Sequence, residues 1–160
     1  MSRLTDIVEK ICDELELITD ASDASVSFGR LYSGVHIEDC DLGQDAYEFS
    51  RTFEVVPIES TPLGDAWCGA TGRHSQRIQI RVAYVRLDDE DDNEPLEVVS
   101  ADDQRRIWRQ LANPATAWGT ESSTSLVGLR LVRQGRLEPL GGILYLRETE
   151  VQVLYLDDGA

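Results

Sequence analysis

Lysine is almost missing from this chain: Lys10 is the only one, and every other basic side chain is an arginine. Fifteen bases stand against thirty acids, leaving a net charge of −15 over 160 residues. That excess argues against a nucleic-acid backbone as a direct partner, because carboxylates and phosphates repel. Cysteine is scarce as well. Cys12, Cys40 and Cys68 are odd in number and far apart, with neither CxxC pairs nor zinc-finger spacing. A reducing cytoplasm is the expected setting of synthesis, with Cys12 a small core residue. No apolar run approaches the ~18–20 residues of a membrane span, so no membrane partner is expected. The opening MSRLTDIVEK lacks the basic and apolar segments of a signal peptide.

Catalytic patterns are missing in the same way. Gly29-x-x-x-x-Gly34 is followed by Val35 and His36 rather than Lys and Ser/Thr, so it is no phosphate loop. There is no G-x-S-x-G, and two histidines, His36 and His74, are little to build a nucleophile–base pair from. His36-x-x-x-Cys40 has no second ligand pair at suitable spacing. Asp88–Asp92 lacks the glycine and terminal glutamate of a calcium loop and reads as a solvated tip. Gly69-x-x-Gly72 with Arg73 and His74 is a weak anion cradle. No enzyme activity, no cofactor and no metal is expected.

What is present reads as one domain, long enough to bury roughly two-thirds of its unfolded surface. Residues 3–18 place Leu4, Ile7, Val8, Ile11, Leu15 and Ile18 on one helical stripe, with Ser2 as cap and Lys10–Glu14 as an i,i+4 pair. Val26–Tyr32 is a short strand candidate. Tyr47, Phe49, Phe53 and Val55 share one strand parity, which Pro57 ends or confines to an edge. In 77–86, Ile78, Ile80, Val82 and Tyr84 alternate with Arg77, Gln79 and Arg81. Ser100-x-x-Asp103 caps a helix burying Ile107, Trp108 and Leu111. Val127, Leu129 and Leu131 alternate, and Gln134-Gly135 is expected to turn the chain. The paired glycines at 141–142 then lead into ILYLRETEVQVLYL, a strand of fourteen residues, roughly 46 Å if fully extended.

The expected fold is α+β: a mostly antiparallel sheet of four to five strands with two helices packed on one face. Strands 77–86 and 143–156 should share that sheet, and everything else should pack onto one side. Loops are expected at 59–75, 88–99 and 113–125. Trp67 and Trp118 lie in such loops, where an amphipathic ring serves a partner surface or folds back onto its own domain.

This order of elements, with the D-x-x-R-I-x-x-x-L helix from Asp103 to Leu111 and the terminal GGILYLRETEVQVLYL, resembles the tail terminator proteins of long-tailed phages. The similarity spans nearly the whole chain. It implies a non-enzymatic virion protein at the head–tail junction. Six copies would form a ring that caps the tail tube, stops its polymerisation and meets the head-side neck protein. Genomic DNA would pass through the channel without specific binding. The candidate subunit-contact residues are Trp67, Arg73, His74, Trp118 and Arg147. Two features depart from the family: the chain is more acidic, and the helix after the acidic loop reads as short. An acidic, lysine-poor surface suits a salt-adapted protein, here from a virus of a halophilic host, or an ordinary acidic protein of a GC-rich genome. The alternatives are a neck or tail-completion protein and, in another class, an acidic inhibitor that mimics DNA.

Overall fold

The computed structural model describes residues 3–31, 36–39, 50–63, 72–86, 95–113 and 126–157, with only the backbone given for 3, 39, 59–63, 72–73, 126–127 and 156–157. The elements are α1 (Arg3–Glu16), β1 (Gly29–Arg30), a single 3₁₀ turn (Ile37–Asp39), β2 (Thr52–Leu63), β3 (Gly72–Val85), α2 (Leu96–Ala112), β4 (Leu126–Gly141) and β5 (Leu144–Asp157). The strands form one sheet in the order β1-β2-β3-β5-β4. Among the described strands, only the two-residue β1–β2 pair is parallel. This is the α+β fold expected.

The centre of the sheet is β3 against β5, each of 14 residues, paired from Gly72↔Asp157 to Val85↔Leu144 with no break in register. Ile78, Ile80, Val82 and Tyr84 turn one way, beside Val151, Val153 and Tyr155. They receive Ile7, Ile11 and Leu15 from α1, Ile107 and Leu111 from α2, and Phe53 from β2. Trp108 packs at the margin, partly buried. The strands span about 46 Å, but the 17 residues of α2 span only about 26 Å. The sheet therefore outruns its helices. No helix among the described residues is long and apolar enough to cross a membrane.

Several expected boundaries move. The regular helix α1 ends at Glu16, although Ile18 stays buried through a turn whose amide donates to Leu15 O. Of the strand expected over Val26–Tyr32, only β1 is strand among the described residues, with Val26 and Phe28 in the core; Tyr32 lies outside them. Ser2, Tyr47 and Phe49 lie outside the described residues. Pro57 does sit where β2 has no outer neighbour among the described residues, but it does not end the strand. A register shift between Pro57 and Glu59 absorbs the missing donor, and β2 runs on to Leu63. With β3 beginning at Gly72, residues 59–63 and 72–75 are strand rather than loop; 64–71 lie outside the described residues.

The helix expected to start at Ser100 begins at Leu96, behind Pro95 with φ −53°. Ser100 is an interior residue: its hydroxyl donates to Glu97 O at 3.1 Å, one turn back. The helix is thus not short, and 96–99 leave the loop expected over 88–99. Gln134-Gly135 does not turn the chain either. β4 runs 16 residues straight through it, and the hairpin turns at Gly142-Ile143, where Gly142 takes φ +57°. Positive φ at the first loop position favours glycine there.

The other face of the sheet is not bare throughout. Ile37 packs there on Ala83, Val85, Leu144 and Leu146, a second small core. The expectation that everything packs onto one side holds for the two helices and fails for this segment.

Candidate functional site

Beyond Ile37, the helix-free face of the sheet is polar, and its order follows from the register. Because side chains alternate along a strand, β3 presents Ser75, Arg77, Gln79 and Arg81 here, and β5 presents Glu148, Glu150 and Gln152. The first row reads Glu54, Arg81, Glu148; the second carries Gln79, Glu150, Arg133; the third, Arg77, Gln152, Arg130. Arg81 donates to Glu38, Glu54 and, at 3.2 Å, Glu148. Gln79 donates to Glu148 at 2.8 Å. Arg77 bonds Glu150 across the diagonal, and Arg133 lies 3.4 Å from Glu148 and 3.8 Å from Glu150. Arg130 and Ser75 both meet Gln152.

Among the described side chains of these rows the charges cancel. Arg77, Arg81, Arg130 and Arg133 stand against Glu38, Glu54, Glu148 and Glu150. Burial works against the charge of Arg81, but the three carboxylates around it outweigh burial and raise its pKa. Hydrogen bonding from Arg81 holds Glu38 below the usual glutamate range. Glu54 and Glu150 each keep only 7% of their surface exposed, although neither α1 nor α2 packs on this face. The helical side differs: α1 alone carries Asp6, Glu9, Asp13, Glu14 and Glu16 against Arg3 and Lys10.

Two shallow hollows flank the charged rows. One, of about 270 Å³, lies where β4 bulges beside Leu146 and Glu148. The other, of about 310 Å³, is lined by Ser75, Gly128, Leu129, Arg130, Gln152 and Leu154. Both sheet edges are blunted. Among the described residues, β2 has no outer neighbour beyond Thr52 and Phe53 and carries Pro57 and a bulge; β4 has four register shifts, three arginines (Arg130, Arg133, Arg136) and Pro139. Such edges resist strand addition.

No family model matches the chain, and no curated protein does. The geometry carries the functional reading.

One group of described residues has metal-ligand character: His36, Glu38 and Glu54, with ligand atoms within 4.8 Å of one another. The guanidinium of Arg81 already bonds both glutamates, so a cation of the chain's own fills the role a metal would take. His36 Nδ1 stands 3.4 Å from Glu54.

The residues singled out from sequence are scattered. Trp67 and Trp118 lie outside the described residues, and Arg73 is described by its backbone alone, paired with Leu63 and Leu156. His74 is on the helix-bearing face, its ring stacked on Tyr155 at 5.5 Å between centroids. Arg147 is bound inward: it donates to Ser100 Oγ (2.8 Å), Gln104 Oε1 (3.1 Å) and Glu97 O (3.2 Å), tying the start of α2 to the sheet. Its desolvation lowers its pKa. The Asp103-x-x-Arg106 pair is also internal. Asp103 is fully buried and accepts from Arg51 (2.7 Å), Arg106 (2.8 Å) and Tyr84 (3.0 Å). Burial raises the Cys12 thiol to about 11, which keeps it protonated and unreactive.

Missed in the sequence were Arg81, Glu148, Glu150 and Arg133. Their signal was available in part: Arg77-x-Gln79-x-Arg81 and Glu148-x-Glu150-x-Gln152 are complementary at strand spacing.

Proposed function

We propose that this chain is a virion structural protein, a ring subunit of the tail-terminator kind. It caps the tail tube, ends its polymerisation and joins the tail to the head-side neck protein. The observation that carries the reading is a sheet face whose described charges are balanced and paired, on an otherwise strongly acidic chain. A surface whose own carboxylates and guanidiniums are already paired and partly desolvated suits protein contact better than catalysis. The order helix, two long strands, helix, long hairpin is also the order the family resemblance implies. The exposed acids Asp13 and Glu16 of α1 fit a channel wall that DNA slides past, because like charge suppresses phosphate binding. A DNA mimic fits less well, since Glu9, Glu14, Asp20 and Asp103 are held by Arg30, Lys10, Arg106 and Arg51 rather than spaced free along one face.

The test is a capping assay. Tail tube protein of the same virus, polymerising in the presence of this protein, should give shorter tubes with extra density at one end under the electron microscope. Tubes of unchanged length with bare ends would count against the reading.

A further inference from the structure

We draw no further inference here: the strongest candidate, the His36–Glu38–Glu54 side-chain cluster on the helix-free face of the sheet, carries nothing because the guanidinium of Arg81 already bonds both glutamates and no second observation among the described residues points to an ion there.

Discussion

Asp103 holds together pieces of chain that no single element could join. Its carboxylate, fully buried, ties α2 to Arg51 just before β2 and to Tyr84 near the end of β3. Arg106 extends the tie to Asp20 at 2.6 Å. Arg51 adopts φ +63°, a left-handed conformation costly for any residue with a side chain, and its bonds to Asp103 and Ser25 O hold it there. Asp103→Ala leaves two guanidiniums without their shared partner, and the expected loss is roughly 3 kcal/mol in urea denaturation. A change under about 1 kcal/mol would show the cluster to be incidental. Asp20 adds a pH dependence. Hydrogen bonds from Ser22, then from Arg106, lower its pKa from 3.8 to about 2. A carboxylate depressed in the fold stabilises it above its unfolded pKa, and that contribution disappears as pH falls from about 4 through 2. The melting temperature should drop across that window, and less so in Asp20→Asn. Equal drops would remove Asp20 from the account.

At the scale of elements, β3 and β5 decide the fold. Ile80 is fully buried between the helices and the sheet, and Ile80→Ala should cost about 2–5 kcal/mol. Gln79, one residue away on the open face, bonds Glu148 and should cost about 1 kcal/mol or less as alanine in the monomer. Thermal melts that reverse this order would put the register wrong. That register was legible in the sequence because Ile78, Ile80, Val82 and Tyr84 keep strict period-two alternation, and the α1 stripe was legible for the matching helical reason. Gln134-Gly135 misled because the pair has turn chemistry. Gly135 is there for another reason: a Cβ at that position would sit 2.8 Å from Glu148 O. Gly135→Ala should therefore destabilise by about 1–3 kcal/mol, whereas Gly128→Ala, meeting only Leu154 Cβ at 3.9 Å, should be tolerated. Residues 59–63 and 72–75 were hidden because Pro62 and Gly72 read as breakers, while pairing to β3 and β5 supplies the order that local propensity does not. The charged face was half legible: each strand's parity showed it, but which arginine meets which glutamate depends on a register no single strand discloses.

For the whole molecule, charge and assembly are one question. Copies carrying −15 each repel in dilute buffer, and at 1 M salt that repulsion is screened within ~3 Å, while the short Arg–Glu contacts on the sheet face survive better because they are partly buried. Association should therefore strengthen as monovalent salt rises. The mass of the purified wild-type protein, followed by light scattering from dilute buffer to molar salt, tests the ring reading most directly. The expected result is a 17.9 kDa chain at low salt giving way to a single species of six times that mass at high salt. A monomer at every salt concentration, unchanged when tail tube ends are added, would contradict it.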